Sequence, residues 1–167
     1  MTPVKVLPPP PVHSRDAGDE RSPEKPERPP MNDRFAQKLA EASVAHDTKL
    51  LGDFADIFCA GNHADRQRRP LESEAVDLGV YGKRTPVLCE ECAEHVRYAE
   101  KRRAYCPKDP KPFCATCDTH CYRPEERLWQ QQMMRYSGPK SWKRGYAIDG
   151  IRHALESRRT KRAAGRA

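Results

Sequence analysis

Six of the seven cysteines fall between Cys89 and Cys121, at C-x2-C-x13-C-x7-C-x2-C-x3-C spacing. That clustering constrains the fold more than any other feature, because two close pairs, Cys89/Cys92 and Cys114/Cys117, with Cys106 and Cys121 beside them, supply more thiolates than one tetrahedral ion needs. The opening residues show no apolar run followed by a small-residue cleavage site, and no stretch approaches the ~20 apolar residues of a membrane span. A cytoplasmic location is expected, where thiols stay reduced and clustered cysteines bind metal more often than they form disulfides. The expectation is a metal centre.

Around it the chain reads as one domain with tails. Nine of the sixteen prolines lie in residues 1–30. A segment so rich in proline and charge buries too little surface to offset its ordering entropy, so residues 1–31 are expected to be a disordered proline-rich leader. Residues 32–160 are expected to form the cysteine-rich helical metal-binding domain, and 161–167 a basic tail. The fold class is thus mainly α, a small domain of about four helices closed by a cysteine-rich loop.

Asn32 or Asp33 can cap a first helix running to Gly61 and Asn62, with Phe35, Leu39, Leu50, Leu51, Phe54, Ile57 and Phe58 at helical spacing. Cys59 and His63 sit one turn apart at its end and can face one neighbour. Cys59 reads equally as a small buried hydrophobe after Phe58. Residues 64–86, with Pro70, Gly79, Gly82 and Pro86, read as a long variable loop with one helical turn near Glu72 to Leu78.

A second helix starts at Cys89 and Cys92, where unpaired N–H groups favour thiolate, and closes at Cys106-Pro107. Pro107, Pro110 and Pro112 then forbid regular helix or inner strand. A third helix opens at Pro124, with Leu128, Trp129, Gln132, Met133 and Tyr136 on adjoining positions, and ends at Ser137-Gly138-Pro139. The last helix, to about Arg159, is expected to turn Tyr146, Ile148, Ile151, His153 and Leu155 inward.

The net charge of +7 is local. From Lys140 onward nine Lys and Arg face two acids, and the rest of the chain is neutral. The basic C-terminal segment can therefore engage a polyanion or a protein partner, or be a solvated helix end; no membrane partner is expected.

For the metal, spacing leaves two readings equally open. Cys106, Cys114, Cys117 and Cys121 place four thiolates close together, and C-x2-C-x3-C followed by a proline resembles part of a ferredoxin run, although Pro124 is not adjacent to Cys121. Alternatively Cys89/Cys92 and Cys114/Cys117 close one zinc ion, leaving Cys59, His63, Cys106 and Cys121 for a second site or none. His120, beside Cys121, is a weaker ligand candidate. The cofactor is accordingly an iron–sulfur cluster or zinc.

Leu88-Cys89-x2-Cys92, Tyr98-Ala99, Cys106-Pro107, Lys111-Pro112-x-Cys114-x2-Cys117-x2-His120-Cys121-Tyr122-x-Pro124 and Met134-Arg135-Tyr136-x-Gly138-Pro139 together resemble the bacterial nitrous oxide-stimulated promoter family. The helix end Phe58-Cys59 with His63 matches the family's N-terminal part. The resemblance implies a small cytoplasmic protein of the response to nitrogen oxides and brings Cys59 and His63 into one constellation with the six other cysteines. It favours iron–sulfur, which nitric oxide attacks, and points to a sensor, protective or redox factor. It identifies no catalytic residue.

Two rival functions stand beside it: an iron–sulfur-dependent enzyme of sulfur or redox chemistry, and a zinc-stapled basic regulator that binds nucleic acid. No Ser/His/Asp arrangement or phosphate-cradling glycine loop is visible, and the nine glycines are scattered.

Overall fold

A computed structural model of the chain describes residues 33–164 except 109, 110, 113, 115, 116 and 120. The leader and His120 lie outside the described residues. The fold is mainly helical, built around α2 (Ala42–Asn62), in which the five consecutive residues Leu51, Gly52, Asp53, Phe54 and Ala55 are all buried, so that every side of its axis is covered at this level. That distribution requires neighbours all round. They are α1 (Asp33–Ala40), α4 (Glu90–Ala104), α5 (Pro124–Ser137) and the 3-10 helix Gly138–Arg144.

The single long first helix expected from the sequence is broken. Glu41 is extended (φ −67, ψ 124), and its N–H reaches back to the Lys38 carbonyl at 3.2 Å. The break lets α1 fold back and bury Phe35 and Leu39 against α2 and α4, which a straight helix would have left projecting beyond the core.

Residues 64–86 are not a free loop. Arg69-Pro70 (β1) pairs antiparallel with Val87-Leu88 (β2), Arg69 opposite Leu88. Ser73 caps the short helix α3 (Glu74–Asp77), accepting the Val76 N–H, which agrees with the one turn expected there. Leu71, Ala75 and Tyr81 are buried. Tyr81 and Pro86 lie against Gly52, where any Cβ would overlap the Tyr81 ring and approach Pro86 Cγ to 2.9 Å. The Tyr81 hydroxyl and Ser73 Oγ both donate to Glu100 Oε1, at 2.5 and 3.0 Å. Burial pushes the Glu100 carboxyl up to about 7, against the opposing pull of those hydrogen bonds.

An acidic face of α2 fastens the opposite side. Arg144 Nη1 donates to Asp53 Oδ1 at 3.0 Å and Nη2 to Asp56 Oδ2 at 2.5 Å. The Tyr146 hydroxyl adds a bond to Asp53 Oδ2 at 2.6 Å, and Arg68 Nη2 one to Asp56 Oδ1 at 2.9 Å. Every carboxylate here has cationic or hydroxyl partners, as burial demands.

The last helix, α6 (Ala147–Ala164), departs from expectation. It runs on into the segment read as a tail. Tyr146 before it is buried, but Ile148, Ile151 and Leu155 are 71, 62 and 51% exposed, and His153 is exposed. Their i, i+3, i+7 spacing makes an apolar stripe, yet no described element packs over it. In α5, Trp129 and Met133 are buried and Tyr136 partly so, whereas Leu128 and Gln132 face outward and Glu126, Gln130 and Ser137 take inner positions. No described helix is long and apolar enough to cross a membrane.

Candidate metal centre

The β1–β2 pairing decides which cysteines meet. It sets Leu88 against the strand that follows α2, and Arg68 reinforces it by donating to the Val87 carbonyl at 2.6 Å while holding Asp56 of α2. Cys89, next in line, becomes the N-cap of α4 and its N–H donates to Cys59 Sγ at 3.2 Å. Cys92 is one turn into α4. His63 caps α2, its N–H bonded to the Cys59 carbonyl at 2.9 Å, and its Nδ1 lies 3.4 Å from Cys89 Sγ and 3.2 Å from Cys92 Sγ.

The ligand atoms of Cys59, His63, Cys89 and Cys92 all lie within 4.8 Å of one another. Tetrahedral zinc, with Zn–S about 2.3 Å and Zn–N about 2.0 Å, sets its ligand atoms roughly 3.6–3.8 Å apart. The observed set fits such an ion with small adjustments. The three sulfurs are almost fully buried, and no cysteine is in a disulfide.

Electrostatics distinguish the three thiols. Burial pushes up Cys59, and it pushes up Cys92 further, with the neighbouring Cys59 adding to the effect. At Cys89 burial acts the same way but is outweighed by hydrogen bonds, led by the Cys92 N–H, so this thiol falls below the usual range. The helix N-terminus is the reason. Arg66, paired with Glu91, adds a cation close enough to favour the Cys89 thiolate.

One wall of the site is aromatic. Phe58 meets His63 edge-on at 5.5 Å and Trp129 at 5.9 Å, and His95 stacks on Trp129 at 4.4 Å with its Nδ1 2.6 Å from Glu126 Oε2. Sequence reasoning passed over Arg66, His95 and Glu126. For His95 the signal was present, since it follows Cys92 at the same spacing by which Cys92 follows Cys89.

The other four cysteines lie elsewhere. Cys106 follows α4, and Cys114, Cys117 and Cys121 are on the proline-rich segment, Cys114 exposed and the others half-buried. Cys89/Cys92 therefore converge with Cys59/His63 and not with Cys114/Cys117. Among the described residues, no second group of three ligand atoms is drawn equally close.

Residues 42–166 match the family described as nitrous oxide-stimulated promoter. The chain belongs to that family. A relative from Escherichia coli (strain K12), called uncharacterized protein YgbA, is 38% identical over 106 residues, covering 60% of this chain and 86% of its own length. No solved structure matches. The family match takes in all seven cysteines and His63, so both thiol groups lie within the shared part of the chain.

Proposed function

We propose that this member of the family is a cytoplasmic zinc-thiolate protein of the response to nitrogen oxides, acting as a sensor or protective factor, with Cys59, His63, Cys89 and Cys92 holding its metal. The observation that carries this reading is the convergence of three thiols and one imidazole within 4.8 Å. Such closeness favours a single ion, because an iron–sulfur cluster takes its thiolates on separate irons and needs them spread more widely. Four protein ligands leave no open position, which supports a structural or sensing role over catalysis.

Zinc, when bound, supplies folding free energy and keeps its cysteines as thiolates. The chain's part is to hold the end of α2 against the start of α4, with Arg66 offsetting the negative charge at Cys89. A nitrosating agent such as dinitrogen trioxide transfers NO+ to a cysteine sulfur while nitrite leaves. That sulfur then carries no charge and ligates poorly, so the junction between the two helices loosens. The family's name supports nitrogen oxides as the signal.

The test is metal and acid-labile sulfide analysis with an absorption spectrum on anaerobically purified protein, followed by titration with a nitrosating agent. Colourless protein containing zinc, released as nitrosothiol forms, is expected. Brown protein whose iron and sulfide disappear on replacing Cys92 would overturn the zinc reading and return the iron–sulfur one.

A second reading concerns the partner. Arg152, Arg158, Arg159 and Arg162 on α6 flank the exposed Ile148, Ile151 and Leu155, a composition suited to a polyanionic or acidic protein surface. Binding to DNA or RNA that falls steeply with salt and vanishes on removal of α6 alone, by truncation after Tyr146, would support it.

A further inference from the structure

We propose that Cys106, Cys114, Cys117 and Cys121 form a second metal site, separate from the helix-end site, which takes one zinc-class ion through four thiolates and closes around it. The two sites cannot share an ion. Cys92 is in the first turn of α4 and Cys106 lies beyond its last, a distance of ~20 Å at 1.5 Å per residue.

Three observations support the second site. First, none of the described residues from 105 to 123 is buried, and Pro107, Pro110 and Pro112 offer no backbone donors. Hydrophobic burial therefore does not account for a segment with half-buried thiols.

Second, the segment is pinned at points that fold its cysteines toward one another. Lys108 Nζ pairs with Asp118 at 2.5 Å, drawing the strand of chain after Cys106 against the one after Cys117. Tyr122 meets Tyr98 of α4 at 5.5 Å, and the Arg123 N–H donates to the Tyr98 hydroxyl at 3.1 Å, which fixes Cys121 beside the same helix. Lys111 reaches Asp47 of α2 at 3.7 Å. Cys106 and Cys114 are both close enough to Cys121 to act on it electrostatically, and Cys106 and Cys117 both act on Lys108.

Third, the chemistry of the set is uniform. Four thiols share one loop, and the cations that act on them, Arg102 at Cys121 and Lys108, itself already paired with Asp118, do not balance four thiolates. A soft or borderline metal ion does so, releasing the thiol protons and leaving the sulfurs as ligands without any change of oxidation state. Ligands on such a loop converge only when the ion arrives, which accounts for their looser spacing next to the helix-end set.

Native mass spectrometry of the full chain with added zinc tests this. Wild-type protein is expected to carry two zinc ions, and the Cys114→Ser/Cys117→Ser variant one, with its helical circular dichroism unchanged. Two ions retained in that variant, or one ion in the wild type that disappears on replacing Cys92 alone, would overturn the second site while leaving the first. Metal-free wild-type protein would overturn both. Iron and sulfide lost with Cys114 and Cys117 would put a cluster there and overturn the single-ion form. Should the variant fold poorly, alkylation of the wild-type chain decides: zinc is expected to slow iodoacetamide labelling of all four loop cysteines at least tenfold, and unchanged labelling would sink the proposal.

Discussion

The two groups of four ligands share a motif and differ in everything around it. Each contains one C-x2-C pair, but Cys89/Cys92 begin a helix packed on the central α2, whereas Cys114/Cys117 sit where none of the described neighbours is buried. Helix ends set by a packed core preorganise their ligands to within one ion's reach. A proline-rich loop supplies equivalent atoms without fixing them. Spacing thus reports what a chain can ligate, and packing reports how ready it is.

The sharpest way to break that contrast is to remove one ligand from each group. Cys92→Ser is expected to abolish zinc at the helix-end site and to destabilise the whole domain by several kcal/mol, since structural zinc contributes on the order of 10 kcal/mol in small peptides. Cys117→Ser should leave the thermal midpoint nearly unchanged. Differential scanning calorimetry of both decides, and equal losses would erase the distinction between the groups.

Next in size is a pH effect confined to the packed region. Glu100 sits on α4 with its carboxyl raised from an ordinary value near 4.5 to about 7, chiefly by burial. A carboxyl with a raised folded-state pKa holds its proton more tightly in the folded chain. Its stabilising contribution is therefore complete below about 4.5, falls as pH rises toward about 7, and stays low above that. The span corresponds to on the order of 3 kcal/mol. Glu100→Gln, which keeps an acceptor for Tyr81 and Ser73, is expected to remove this slope and to be the more stable protein at pH 8. Urea unfolding at a series of pH values measures it, with and without zinc, and the difference in slope between wild type and Glu100→Gln should be the same in both.

Gly52→Ala probes the packed region by volume alone. A methyl group there overlaps Tyr81 and crowds Pro86. Overpacking costs ~1–3 kcal/mol, against a gain in helix propensity of about 0.5–1 kcal/mol, so the net change is a modest loss. Loop-cysteine labelling should not respond.

The sequence made the helix-end site partly legible and its partition illegible. Cys59 and His63 at one turn's spacing, and Cys89 and Cys92 opening a helix, are local features that periodicity exposes. That these two pairs meet depends on the two-residue ladder Arg69-Pro70 with Val87-Leu88, too short to give a strand signal. The same tertiary dependence hid the packing of residues 71–86, whose Leu71 and Tyr81 are scattered among polar residues. It also misled at α6, where Ile148, Ile151 and Leu155 carry the spacing of a core-facing stripe and are exposed. Local pattern specifies an amphipathic helix. It does not specify whether a neighbour covers the apolar side.

The smallest expected effect separates pinning from stability. Lys108 and Asp118 form a close ion pair on the loop, with 35 and 79% of their side chains exposed, so solvent and salt screen it. Asp118→Asn is expected to leave the thermal midpoint unmoved. Yet if this pair brings the arms bearing Cys106 and Cys117 together before metal arrives, its loss raises the ordering cost of closure and weakens zinc binding at the loop by about two- to fivefold, with no change at the helix-end site. Competition with a chromophoric zinc chelator, run at low and at high salt, measures this. The wild type should lose affinity as salt rises and the variant should not. An Asp118→Asn protein with wild-type affinity and the wild-type salt response would mean that the ion pair only decorates the loop, and that the loop cysteines are held in range by the Tyr98–Tyr122 contact instead.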